Sequence, residues 1–172
     1  VYWLDHHNTI VAVNPAWDYF ARSNGGVPLS TSVVGRSLFD FLVGEAPRMY
    51  MDVILDHARQ LNGELVRPYR CDSPGLKRYM EMRVSQHTDG QLKLEHRCLA
   101  QEPIKPQLNF RYRPGRGVIK RCSICNRVNR AGRWQEATSA LSDQTTNVTI
   151  DVIYDVCLHC RVPQFNQPRA AT

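Results

Sequence analysis

This sequence lacks the features that mark a membrane protein or a common class of enzyme. No stretch approaches the roughly 18 consecutive apolar residues that a membrane-spanning helix needs, and no secretion-signal pattern is visible. A phosphate-binding glycine loop, a Ser/His/Asp set and a pair of catalytic carboxylates are also missing. These absences predict a cytoplasmic, non-enzymatic protein with no membrane partner.

Internal repeats, low-complexity tracts and a large excess of one charge are missing as well. Of the 172 residues, 42% are hydrophobic and 22% are charged, which is typical of a packed globular chain and excludes a disordered one. The length fits one domain of usual size followed by a small one.

Four of the six cysteines form two CxxC pairs, Cys122 with Cys125 and Cys157 with Cys160. Two tight CxxC turns can complete a tetrahedron of thiolates around Zn²⁺. Four sulfurs leave no open position for substrate, so we predict a structural zinc site. Rubredoxin-like iron, a redox dithiol and unrelated free thiols remain alternatives.

The other two cysteines, Cys71 and Cys98, stand alone, and we interpret them as ordinary thiols. A reducing compartment with a bound metal explains the six cysteines better than three disulfides do. Four thiolates and one Zn²⁺ would lower the formal net charge from +6 to about +4. That charge is too small to indicate nucleic-acid binding by itself.

The first hundred residues predict an α+β fold: a five-stranded antiparallel sheet with helices on one face. The hydrophobic periods place the strands at 1–4, 9–13, 64–70, 76–86 and 92–100. They place a short helix at 16–22, a helical turn within 33–41 and a long helix at 47–61. Pro68 predicts an edge position for the third strand.

Alternating residues identify the inward faces. Met80, Met82 and Val84 share one face of the fourth strand. The fifth strand directs Leu92, Leu94, His96 and Cys98 to one side. The apolar face of the long helix consists of Tyr50, Met51, Ile54, Ala58 and Leu61.

The remaining chain divides into three predicted segments. Residues 101–121 form a Pro/Arg-rich linker, residues 122–162 the four-cysteine zinc module, and residues 163–172 a tail. The linker contains basic residues that we interpret as a solvated charged surface. An alternative is that they contact phosphate groups of nucleic acid while Tyr112 stacks on a base. These basic residues are Arg111, Arg113, Arg116, Lys120 and Arg121.

Residues 1–100 resemble a bacterial PAS sensor domain. The resemblance rests on the segments Val13-Asn14-Pro15-Ala16-Trp17, Val34-Gly35-Arg36-Ser37-Leu38-Phe39 and Tyr69-Arg70-Cys71-Asp72-Ser73-Pro74, together with the long helix and the final hairpin. Residues 122–162 resemble a cysteine-rich module found at the C-termini of bacterial PAS and response-regulator proteins. This second resemblance rests on Cys122-Ser-Ile-Cys125-Asn-Arg127, Gly132-Arg-Trp134-Gln-Glu136 and Tyr154-Asp-Val-Cys157-Leu-His-Cys160. Asn126 stands where a basic residue is expected.

The PAS resemblance implies a cavity between the sheet and the long helix. Its candidate lining residues are Tyr50, Ile54, His57, Met80, Met82, Leu94 and His96. These side chains either hold a small apolar ligand or fill a core, and the sequence favours neither. Haem-binding PAS domains use a histidine on this helix, but we interpret His57 as a core or rim histidine. Leu38-Phe39-Asp40-Phe41 lacks the cysteine that flavin-adduct PAS domains carry.

The predicted function is therefore signal sensing or protein interaction without catalysis. The resemblance implies a homodimer and an unidentified signalling partner protein, because kinase, receiver and helix-turn-helix signatures are missing. The alternative is a zinc-ribbon-like regulator that binds nucleic acid through its basic linker.

Overall fold

The computed structural model describes residues 1–23, 30–115, 119–141 and 149–161. The predicted tail at 163–172 and Arg116 of the predicted linker lie outside these residues. Among the described helices, none combines the length and apolar character needed to cross a membrane. The described strands form two five-stranded sheets.

The first sheet is antiparallel and confirms the predicted α+β class. Its strands are β1 (Tyr2–Leu4), β2 (Ile10–Val13), β3 (Glu64–Arg70), β4 (Leu76–Gln86) and β5 (Leu92–Pro103). Their order is β2-β1-β5-β4-β3. The hairpin of β1 and β2 is thus joined to the other three strands by the pairing of β1 with β5. Pro68 lies on the edge strand β3, where its missing N–H removes no bond to a further strand.

Met80, Met82 and Val84 on β4 are all buried as predicted, but Glu81 between them is buried as well and pairs with Arg83 at 2.8 Å. Cys98 on β5 is paired with Met80, in the predicted alternation with His96 and Leu94, but it is exposed. Leu94 is the last residue of β5 in the first core, and the strand is exposed from Arg97 onward.

Helices connect β2 to β3 across one face of the first sheet. They are α1 (Ala16–Ser23), α2 (Ser30–Val33), a 3-10 helix (Leu38–Phe41) and α3 (Glu45–Gln60). Helix α3 begins earlier than predicted, directly after Gly44, whose φ of 94° favours glycine. A Cβ at Gly44 would also lie 3.5 Å from the Cβ of Tyr154.

Helix α3 packs its apolar face against β4 and β5. Ile54 and Ala58 are buried as predicted, whereas Tyr50 and Met51 are partly buried at the edge of the core. Leu55, which the helical period left outside this face, is fully buried as well. The apolar surface of the helix is therefore wider than the sequence pattern indicated.

We expect Leu55→Ala to lower the free energy of unfolding by about 2–3 kcal/mol, because it leaves a cavity in a packed core. The matched control is Val53→Ala on the same helix, since Val53 is 62% exposed. Its effect should stay within about 0.5 kcal/mol. Chemical denaturation measures both, and equal losses would contradict the burial of Leu55.

The second sheet is an addition that the sequence did not predict. Its strands are β6 (Asn109–Tyr112), β7 (Ile119–Cys122), β8 (Val128–Arg130), β9 (Arg133–Gln135) and β10 (Thr149–Asp155). Their order is β6-β10-β7-β8-β9, and β10 runs parallel to both of its neighbours. Two single-turn helices, α4 (Ala137–Ala140) and α5 (Leu158–Arg161), follow β9 and β10 respectively.

Residues 101–121 therefore contain more regular structure than the predicted linker. Strand β5 continues to Pro103, and β6 and most of β7 lie within this stretch. The reason is that β10, far along the chain, supplies the backbone partners of both β6 and β7. The second core consists of Leu108, Val128, Ala140, Leu141, Ile150 and Val152.

Helix α3 contacts β10 in addition to the first sheet. The helix thus lies against both sheets, and its N-terminal end approaches β10 where Gly44 meets Tyr154. The division into domains at residue 100 stays a prediction.

Candidate metal centre

The first CxxC pair lies in a tight turn at the end of β7. The backbone N–H of Asn126 donates to the carbonyl of Cys122 at 3.0 Å, and the N–H of Cys122 donates to Arg127 at 2.8 Å. Asn126 has a φ of 60°, a left-handed conformation that asparagine tolerates better than most residues. This backbone conformation explains why asparagine suits the position where the family resemblance predicted a basic residue.

The second CxxC pair lies in the turn that follows β10. The N–H groups of Cys160 and Arg161 both donate to the carbonyl of Cys157 at 2.9 Å. The N–H of Cys157 in turn donates to the Sγ of Cys122 at 3.4 Å. Because β7 and β10 are neighbours in the sheet, their ends deliver the two turns to one place.

The structure brings all four predicted sulfurs together, within 4.8 Å of one another. We call Cys122, Cys125, Cys157 and Cys160 the cysteine cluster. The Sγ atoms of Cys125 and Cys157 are 3.8 Å apart. A tetrahedron with Zn–S bonds of about 2.3 Å has edges of about 3.8 Å. Four converging sulfurs therefore fit a zinc ion, and they fit an iron ion by the same chemistry.

Hydrogen bonds among these thiols separate their pKa values. Bonds from Cys125 and Cys160 lower the pKa of Cys122, so its thiolate forms first. The bond to Cys122 raises the pKa of Cys125 to about 12 and raises that of Cys160 further. A metal ion that takes all four as thiolates must displace the remaining protons, so binding weakens as pH falls.

The first CxxC turn is attached to the first sheet by one backbone hydrogen bond and one side-chain hydrogen bond. The N–H of Arg70, the last residue of β3, donates to the carbonyl of Ile124 at 2.7 Å. The side-chain amide of Asn126 donates to the carbonyl of Arg70 at 3.2 Å. The turn between Cys122 and Cys125 thus continues the edge of the first sheet.

The side chain of Arg70 forms a second connection between the two sheets. Its guanidinium donates to both carboxylate oxygens of Glu136, at 2.9 and 2.8 Å, and pairs with Asp72 at 2.5 Å. Lys77 and Arg127 lie 3.5 Å from the same Glu136 carboxylate. Burial alone would raise the pKa of Glu136, but the bonds from Arg70 and these neighbouring charges lower it overall.

The seven candidate cavity residues occupy different surroundings. Ile54, Met82 and Leu94 share the first core, and Tyr50 packs against it. Met80 is buried outside that cluster, and His57 is partly buried on α3. The structure therefore assembles part of the predicted lining as a packed core, and ligand binding there stays a prediction.

His96 is held by two tyrosines. Its Nδ1 lies 2.8 Å from the hydroxyl of Tyr69, and its ring stacks on Tyr2 with centroids 5.5 Å apart. Burial, followed by the nearby terminal amino group, lowers the pKa of His96 to about 4, so the ring is neutral at pH 7. These contacts give the histidine structural partners in the core.

Tyr50 packs against the first core. Burial is the main cause that raises its pKa.

Several basic residues of the predicted linker are engaged in ion pairs. Arg111 and Arg113 contact Asp151 at 2.8 and 3.1 Å, and Lys120 contacts Asp155 at 3.2 Å. These exposed pairs reduce the net positive charge that this surface offers to a phosphate backbone.

Comparison with protein-family models, with curated proteins and with solved structures found no match to this chain. The functional argument therefore depends on the geometry of the chain itself.

Proposed function

We propose that this chain is a non-enzymatic sensing or interaction protein of the cytoplasm, in which a PAS unit is joined to a zinc-stabilised module. The observation that carries the proposal is the 2.7 Å hydrogen bond from Arg70 N–H to Ile124, between the two cysteines of the first CxxC turn. A displacement of β3 must move this turn or break the bond. The cysteine cluster is placed to pass a change in the first sheet to a partner protein.

The signal in this proposal is a small apolar ligand or a partner protein that shifts the packing of α3 on the first sheet. Support comes from the five-stranded antiparallel sheet with its helical connection and from the contact of α3 with both the first sheet and β10. A homodimer and an external output partner belong to the same proposal.

The metal is tested by elemental analysis and a visible absorption spectrum of the purified protein. We expect about one zinc per chain, because four sulfurs complete the tetrahedral shell of one ion. We expect no visible band, because a d¹⁰ ion has no d–d transitions. A red protein with an iron–thiolate absorption spectrum would show that the bound metal is iron and not zinc. A haem or flavin band would contradict an apolar, colourless core in the PAS unit.

Transmission between the sheets is tested by the rate at which a chromophoric chelator removes the zinc. Ile54→Ala weakens the first core without touching the cysteine cluster, since Ile54 is 5% exposed within that core. We expect zinc release to accelerate about tenfold, which corresponds to about 1.4 kcal/mol of lost local stability. Val53→Ala is the control, and unchanged release from Ile54→Ala would contradict transmission.

The alternative of nucleic-acid binding has less support, because the paired basic residues would have to exchange Asp151 and Asp155 for phosphate. A salt-dependent shift of labelled DNA or RNA would favour this alternative over the sensing function.

A further inference from the structure

A cavity of about 270 Å³ lies between the two sheets, away from the core of the predicted PAS unit. The first half of the chain contributes the turn after β3, Lys77 at the start of β4 and Ile104. The second half contributes Phe110, Arg121 and Tyr154. The volume is near the lower limit of small-molecule sites, so the cavity suits a compact ligand.

Most charges in this cavity compensate one another. Asp72 and Glu136 are both paired with Arg70, and Glu136 also has Lys77 at 3.5 Å. An entering anion would therefore meet carboxylates whose charge is already balanced. Arg121 is the remaining charged side chain among the lining residues.

Arg121 has no carboxylate partner among the ion pairs of the described residues. Its guanidinium lies over the ring of Phe110, with Cζ 4.2 Å from the centroid. Its Nε is buried and has no acceptor among the described groups. Because arginine stays protonated in proteins, this N–H is a charged donor without a partner, which costs free energy.

The lining of the cavity also contains apolar and aromatic side chains beside its polar ones. Leu108 and Ile104 face the same cavity as the ring of Phe110. A ligand that satisfies the whole site needs one anionic oxygen group for Arg121 and a flat or apolar body for these side chains. A free inorganic anion would satisfy only the first requirement.

We propose that this cavity binds a small organic carboxylate, whose carboxylate pairs with the guanidinium of Arg121 while its apolar body packs beside Leu108 and Phe110. A carboxylate is planar and matches the side of a guanidinium, which gives a directed contact. Because both halves of the chain line the cavity, the bound ligand would hold the two sheets together. This site is separate from the predicted PAS cavity and does not depend on the PAS assignment.

The test uses 1-naphthoate as probe and its neutral isostere 1-naphthamide as control, with binding followed by calorimetry on the zinc-loaded chain. We expect 1-naphthamide to bind at least about tenfold more weakly, since it lacks the charge-assisted bond. Arg121→Gln should lose the same factor. Arg111→Gln, which alters an exposed arginine paired with Asp151 outside the cavity, should bind as the unchanged protein does.

A second measurement covers the case in which Arg121→Gln does not fold. In the unchanged protein labelled with ¹⁵N, 1-naphthoate should shift the Nε–H signal of Arg121 and the amides of Leu108 and Phe110. Equal binding of 1-naphthamide, or shifts confined to other regions, would overturn the proposal. An absence of binding at about 10 mM 1-naphthoate would also overturn the proposal. So would inorganic phosphate that binds as tightly as 1-naphthoate.

Discussion

If the cysteine cluster binds zinc as proposed, a Cys122→Ser variant will lose the metal and the cooperative structure of the second sheet. Bound zinc should fall from about one ion per chain to almost none, because serine does not supply the thiolate that the metal requires. Structural zinc in small modules contributes about 10–16 kcal/mol to folding. That exceeds what a core of six buried residues supplies to a unit of this size.

The position of Cys122 makes this effect larger than the loss of one ligand. Its side chain is fully buried, and it is the last residue of β7, opposite Asp155 of β10. Its Sγ also accepts the N–H of Cys157, which begins the second CxxC turn. Loss of the metal therefore disconnects the two turns and removes the end of the strand pair that holds them.

Elemental analysis measures the metal, and hydrogen exchange of the amides in residues 119–141 and 149–161 measures the structure. The control is Cys98→Ser, since Cys98 is exposed and lies outside the cysteine cluster. This control should keep the zinc and the protection pattern. A Cys122→Ser protein that keeps normal protection in these amides would contradict a folding role for the metal.

The first sheet could be predicted almost strand by strand because its information is local. The alternation on β4 specified the bounds Leu76–Gln86, and Pro68 specified an edge strand. The β3–β4 and β4–β5 pairs are hairpins between strands close in sequence, whereas the pairing of β1 with β5 joins distant residues and was not predicted. Leu55 was missed because a helix in contact with two sheets buries more of its circumference than one apolar stripe.

The second sheet could not be predicted because its pairing is not local. Strand β10 runs parallel to β6 and β7, and each parallel pair joins residues that lie far apart in the chain. Its other strands, β8 and β9, have three residues each, too few for a period to be recognised. The arginines at 111 and 113 also made this stretch look like a charged linker.

The metal ligands could be predicted, whereas their surroundings could not. Two CxxC spacings determine which sulfurs meet, regardless of the rest of the fold. Arg70 and Glu136, in contrast, are separated by 66 positions and carry no spacing signal. The pair of Arg70 with Asp72 is local in sequence, whereas the pair of Arg70 with Glu136 is not.

Replacement of Arg70 by methionine will separate the two sheets. The side chain of Asp72 is only 5% exposed, and Arg70 is its partner at 2.5 Å. Removal of one member of such a pair leaves a buried charge without compensation, which costs about 3–5 kcal/mol. Glu136 also loses its two-pronged contact, although Lys77 and Arg127 remain near it. We expect a lower free energy of unfolding and faster amide exchange at Asn126.

Arg111→Met is the matched control, because Arg111 forms an ion pair of similar length with Asp151 but its side chain is 60% exposed. Exposed pairs contribute about 0–1 kcal/mol, so this variant should be nearly neutral in chemical denaturation. Addition of Asp72→Asn to Arg70→Met removes the uncompensated charge and should recover part of the lost stability. Recovery would assign the loss to the buried carboxylate. Equal losses for Arg70→Met and Arg111→Met would show that the side chain of Arg70 contributes no more to stability than an exposed ion pair does.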